Sequence, residues 1–305
     1  MDKHYSVMKK EAIELLGIKE NGIYVDGTLG RGGHSEEILK RIGDGKLYAF
    51  DLDEEAIKES KEFLNNDSRL HIFHNNFANM KECLDTKVDG ILLDLGVSSP
   101  QFDEGERGFS YRFDAPLDMR MDQSKELTAK KIVNEYRIEE LARIFRDYGE
   151  ERFAYQIAKK IDAQRKNKPI ETTFELVDVI KASLPAKELA KKGHPAKQVF
   201  QALRIATNDE LGSLEKFLND FPDLLNEKGR VVIITFHSLE DRLVKRRFND
   251  LTKVKVDKRI VLLPEEIEEA PFVSLTRKAI KANEIELQEN NRSHSALLRA
   301  IEKRG

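Results

Sequence analysis

From residue 23 onward, short runs of consecutive apolar residues alternate with segments whose apolar positions recur every three to four residues. Ile23 to Thr28 is the first run, Ile38, Leu39 and Ile42 follow at helical spacing, and Lys46 to Leu52 is the second run. Ala56, Ile57, Ser60, Phe63 and Leu64 then form one stripe, before a third run at Leu70 to His74 and a fourth at Gly90 to Leu95. A continuous apolar run predicts a strand covered on both faces, and a stripe predicts a helix with one face inward. Their alternation predicts parallel strands joined by crossover helices, with ligands beyond the carboxyl ends of the strands.

After Pro100 the rhythm changes, and no further strand pattern occurs until Arg230 to Phe236. The stretch between carries three helical stripes: Ile138, Leu141, Ala142, Phe145 and Tyr148; Phe153, Ile157 and Ile161; Phe174, Val177, Ile180 and Leu184. Together they predict a helical core inserted into the α/β unit. Pro195 fits the first turn of a long helix whose Val199, Leu203, Ala206, Leu211, Leu214 and Leu218 return to the sheet. The expected organisation is one discontinuous domain, residues 1–104 and 196–305, with a helical insertion at residues 105–195. Apolar segments at Arg259 to Leu263 and Ala296 to Ile301 are expected to be the last strands.

Composition narrows the function classes. The chain has 305 residues, of which 40% are hydrophobic and 35% charged, and its formal net charge is −3. Nucleic acid, if bound, is held by local basic patches and not by a global field. Basic clusters occur at Lys159-Lys160, Arg165 to Lys168, Lys187 to Lys197 and Arg242 to Arg247; the last borders the expected crevice. Cys83 is the only cysteine, which excludes an intrachain disulfide and a cysteine-cluster metal site. No His, Asp or Glu spacing points to a metal. No apolar stretch approaches the roughly 20 residues of a membrane span, and the first residues lack a signal-peptide core, so a soluble, cytoplasmic protein is expected.

Chemistry enters at Tyr24-Val25-Asp26-Gly27-Thr28-Leu29-Gly30-Arg31-Gly32-Gly33-His34, where the first strand breaks into glycines and opens a helix. Glycines let backbone approach a ligand, and a helix start offers free N–H groups. Asp51 and Asp53, one strand later, supply a carboxylate for a ribose diol. The glycines miss the dinucleotide register, and Asp26 in the turn would oppose a pyrophosphate. A cationic, amine-bearing nucleoside such as S-adenosylmethionine suits the turn better, which disfavours a nicotinamide oxidoreductase.

The fourth strand ends in Leu92-Leu93-Asp94-Leu95-Gly96-Val97-Ser98-Ser99-Pro100-Gln101-Phe102, one substitution from the acid, proline and aromatic pattern common in amino-group methyltransferases. An exocyclic amine is a poor nucleophile and needs acceptors on its N–H groups. Asp94, Ser98 and Ser99 offer them, and Phe102 offers a stacking face; a plain turn is the alternative. Phe77 after the third strand is either a cover for adenine or a core aromatic. Arg107 to Arg112 and Pro116 to Asp122 read equally as a lid over a base or as loops whose arginines pair with Asp114, Asp118 and Asp122. His237 is better read as a structural hydrogen-bonding residue than as a base, and His34 as a ligand donor or a cap.

Six blocks then carry a resemblance: Asp26 to Ser35, Asp94 to Gln101, Arg107 to Ser110, Pro116 to Met121, Phe200 to Ile205 and Phe236 to Asp241. Together they resemble the bacterial RsmH (MraW) family, with similarity running from about His4 to Lys303. That resemblance implies an α/β, Rossmann-like class I S-adenosylmethionine methyltransferase fold with an inserted helical substrate-recognition subdomain. It implies methylation of the 4-amino group of a decoding-centre cytosine in 16S ribosomal RNA, so the small ribosomal subunit is the partner, with a monomer or homodimer expected. Carried over by position, the cofactor contacts are Gly32, Gly33, His34, Asp51, Phe77, Asp94 and Gln101, and the target-base contacts are Asp94, Ser98, Ser99 and Phe102. Gln198, Asn291, His294 and Leu297 depart from the family's basic pattern, leaving Arg204, Arg292 and Arg299 to meet phosphates. The rivals are a non-catalytic RNA-binding or assembly factor and an amino-methyltransferase of another nucleic acid.

Overall fold

In a computed structural model, residues 6–96, 105–254 and 269–305 are described. Seven strands form one sheet: β1 (Ile23–Asp26), β2 (Lys46–Asp51), β3 (Leu70–His74), β4 (Val88–Asp94), β5 (Leu225–Thr235), β6 (Phe272–Ser274) and β7 (Leu297–Lys303). Their order is β3-β2-β1-β4-β5-β7-β6. The first five strands in this order run parallel, whereas β7 is antiparallel to both β5 and β6. This is a Rossmann-like α/β sheet with one reversed strand, and the chain changes direction across it between β1 and β4. A ligand crevice belongs at the carboxyl ends of those two strands.

The central strands β1 and β4 and the second half of β5 are mostly apolar because both faces are covered there. Ile91, Leu93, Val231 and Ile233 pack with Leu214, Phe217, Phe221, Val244 and Phe248 on one face. Their alternates Leu92, Val232 and Ile234 pack with Ala12, Ile13, Leu16, Ile38 and Leu39 on the other. The helix Lys9–Leu16 and the three-residue β6 were not expected from the pattern, and β5 begins five residues before Arg230. The expected strand at Arg259 to Leu263 lies outside the described residues. Phe63 is 53% and Phe174 44% exposed, so the inward stripes run through Leu64 and through Leu176, Val177 and Ile180 instead.

The chain folds as two compact units. Described residues up to 96 and from 211 onward form one; described residues 105–210 form the other. The second has its own core, built from helices Ala129–Glu135, Ile138–Gly149, Ala154–Arg165, Thr173–Ser183 and Lys197–Asn208. The boundary expected at residue 196 therefore falls near 210. The expected long helix is two, Lys197–Asn208 and Glu210–Leu224, separated by Asp209 at φ 51°. Val199 and Leu203 belong to the helical core, Leu214 and Leu218 to the sheet. The step of five from Ala206 to Leu211 marks this change of face, since one helical stripe advances by three or four. Among the described residues no helix is long and apolar enough to cross a membrane.

Candidate active site at the carboxyl end of the sheet

The glycine turn grows directly out of β1 and stays fastened to its neighbours. Gly27 N–H donates to Leu92 O (2.9 Å) and Leu29 N–H to Phe50 O (2.9 Å). A Cβ on Gly27 would lie 2.2 Å from Leu93 Cδ2 and 2.5 Å from Met80 Cε, so a larger residue fits only if those side chains move. Gly32 has φ +80°, the left-handed conformation that precedes the helix Gly33–Leu39. A Cβ on Gly33 would strike Ser6 Oγ at 2.0 Å.

Asp26 does not face a ligand, contrary to the expectation that its charge selects one. Its carboxylate accepts from Thr28 N–H (3.1 Å) and Ser35 Oγ–H (2.7 Å) inside the turn. Burial pushes its pKa up to about 6. The acidic pair after β2 also divides its roles. Asp51 accepts from Gly30 N–H (2.8 Å) and Asp53 N–H (2.9 Å), and burial raises its pKa. Asp53 caps the helix Glu54–Phe63 through Glu55 N–H. Ser60 Oγ–H then donates to Gly30 O at 2.6 Å, holding the turn from below.

Asp94 ends β4, and its N–H donates to Thr28 Oγ1 (2.6 Å), which ties the two strand ends together. Its Oδ1 is shielded and has no hydrogen-bond partner among the described residues, although the side chain keeps 23% of its accessible surface. Such an orphaned acceptor is costly unless something else fills the place. Burial raises the Asp94 pKa to about 7, against the pull of Arg292 and with the push of Asp26, Glu240 and Glu286. His34 Nδ1 lies 3.8 Å from Asp94 Oδ2, beyond hydrogen-bond reach, and His34 Nε2 lies 3.2 Å from Val7 O. Only a protonated ring nitrogen can meet a carbonyl, so Nε2 carries the hydrogen and Nδ1 is a bare acceptor. Burial lowers the His34 pKa to about 4, keeping the ring neutral. The two side chains thus present acceptors to an incoming N–H group.

The surroundings complete the geometry. Phe77 meets Phe217 edge-on at 5.9 Å and is only partly buried. Arg292 stands 5.9 Å from the Phe236 ring, which lies against Gly96. Glu286 Oε1 accepts from Met8 N–H (2.7 Å) and Ser293 Oγ–H (2.6 Å), so the segment touching Gly33 and His34 is tied to the far end of the chain. His237 Nε2 lies 3.1 Å from Glu240 Oε1, but neither of its shielded ring nitrogens makes a hydrogen bond among the described residues, so the expected structural hydrogen bond is not found there. Ser98, Ser99, Pro100, Gln101 and Phe102 lie outside the described residues.

Thr28, Ser35, Ser60 and Glu286 are the supports that sequence reading missed. Thr28 and Ser35 sit inside the glycine block, and Ser60 is the one polar member of an apolar stripe, so each had a local signal. Glu286 had none, since its partners are remote in sequence.

The Arg107 to Asp122 loops take the local-pairing alternative. Arg107 Nη2 donates to Arg120 O (2.5 Å) and Met121 O (2.8 Å), and Arg120 grips both oxygens of Asp118 at 2.8 and 2.7 Å. Phe109 and Met119 are buried. Two of the three arginines expected at phosphates are also engaged internally, Arg204 with Glu210 (2.7 Å) and Arg299 with Asp241 (2.7 Å).

The chain matches the MraW methylase family over residues 1–304. It is 55% identical over 311 residues to the ribosomal RNA small subunit methyltransferase H of Mesoplasma florum, covering 100% of each chain. The protein of that name from Streptococcus mutans is 51% identical over 308 residues, with 98% of this chain and 97% of the relative covered. That of Exiguobacterium sibiricum is 51% identical over 310 residues, with 99% of each covered.

Proposed function

Because this chain belongs to the MraW methylase family, we propose that it methylates the RNA of the small ribosomal subunit, with S-adenosylmethionine as donor and the 4-amino group of a decoding-centre cytosine as acceptor. The observation that carries this reading is Asp94, whose unpartnered Oδ1 borders the glycine turn at the switch point between β1 and β4. The residues present fit the donor. Gly32 and Gly33 form the tight turn that opens the helix toward the crevice, Asp51 suits ribose hydroxyls, and the open side of Phe77 suits a base. Asp94 and the bare Nδ1 of His34 form an acceptor pair for its ammonium group.

When bound, the donor supplies an electrophilic sulfonium methyl. The protein then has to hold a flat amine in line with it and strip that amine of competing water, and positioning supplies most of the rate. Gln101 on the donor, and Ser98, Ser99 and Phe102 on the target base, belong to this proposal through the family's sequence blocks alone.

The test is transfer from labelled donor to small-subunit RNA, followed by mass mapping of the modified nucleotide. One methyl on a cytosine 4-amino group is expected. A methyl on another base, or donor binding without any transfer, would overturn the assignment. Asp51→Ala should weaken donor binding at least about tenfold in calorimetry, since the variant loses a ribose acceptor and the brace on Gly30.

A further inference from the structure

Two sequence features that the active site does not use, the loop around Arg112 and the basic segment 187–197, come together within the helical unit. Tyr111 and His194 stack with ring centroids 4.2 Å apart and planes at 8°, and Tyr111 is anchored edge-on to Phe200. Burial, then the charges of Lys181 and Arg112, lower the His194 pKa.

We propose that Arg112, Lys181 and His194, with the exposed rings of Phe113 and Phe174, form the surface on which the helical unit holds an unpaired strand of RNA. Arg107 and Arg120 in the same loop are occupied by local partners. Arg112 and Lys181 are exposed, and neither has an ion-pair partner among the described residues. Phe113 and Phe174 are 48% and 44% exposed. They flank one small knot of hydrogen bonds, Thr173 Oγ–H to Phe113 O (2.6 Å) and Phe174 N–H to Asp114 Oδ1 (3.3 Å). Asp114 is thus engaged with the backbone of the neighbouring helix and not with Arg112 or Lys181.

Free cations beside open aromatic faces match a polyanion with unstacked bases, since phosphates take the charges and bases take the rings. In a chain whose net charge is −3, such attraction has to be local. The inference rests on the proposed function for the identity of the strand as RNA.

The experiment is filter binding of a labelled decoding-region RNA fragment to the full chain. Arg112→Glu combined with Lys181→Glu should weaken binding at least about tenfold and reduce the slope of log affinity against log salt by about two. Phe113→Ala should weaken single-stranded RNA about tenfold and leave duplex RNA unchanged. Both variants should melt like the parent and keep its donor affinity. Unchanged RNA affinity and salt slope in the folded double variant would overturn the proposal. A parent that methylates a different nucleic acid would overturn the functional reading instead, and the charge reversals would still weaken binding of that substrate.

Discussion

Asp94 and His34 place opposite demands on pH. The fold holds the Asp94 proton more tightly than the unfolded chain does, so the carboxylate detracts from stability above pH 7, and this penalty fades as pH falls from about 7 towards 4. His34 is kept neutral down to about pH 4, so the stability it permits is lost as pH falls from 6.5 towards 4. Asp94→Asn should therefore raise stability at pH 8 by about 2 to 4 kcal/mol in urea unfolding, with the gap narrowing as the pH is lowered to 4. A gap independent of pH would contradict the assignment of the orphaned acceptor. The places of Gly32 in the turn and of Asp51 and Asp94 at strand ends were legible in the sequence, because such positions are fixed in an alternating fold. Asp26 was misread because spacing says nothing about which way a carboxylate turns, and Ser35, nine residues on, turned it inward.

At the level of elements, β1 to β4 were legible to within about two residues, since short runs rich in apolar residues alternate there with helical stripes. Pieces of only three residues, such as β6, are too short to show a period. The break at Asp209 was hidden for another reason: a stripe records that a face is buried but not in which core. The tightest element boundary is the end of β1, where Gly27 lies under Leu93 and Met80. Gly27→Ala should destabilise the protein by about 1 to 3 kcal/mol in denaturant unfolding, because those side chains must shift to admit a methyl group. Wild-type stability in that variant would show that the contact relaxes freely.

For the molecule as a whole, the alternating pattern followed by helical stripes was enough to reveal a sheet unit and a helical unit, though not where the second ends. All seven strands and both covering cores lie in the first unit. Replacing residues 105–210 by a flexible glycine-serine linker should therefore leave cooperative unfolding and donor binding in place while abolishing transfer to RNA, as circular dichroism, calorimetry and labelling would register. An unfolded product would show that the sheet depends on the helical unit. The pairing of β4 with β5 has a further consequence in time. It brings together residues such as Asp89 and Asn226, which are 137 apart in sequence, and closing so long a loop costs about 4 kcal/mol of chain entropy. Helices built from near neighbours form faster than such a distant strand pair. During refolding the intervening helices would thus take shape before the sheet could close, so a delay in them holds up the whole molecule.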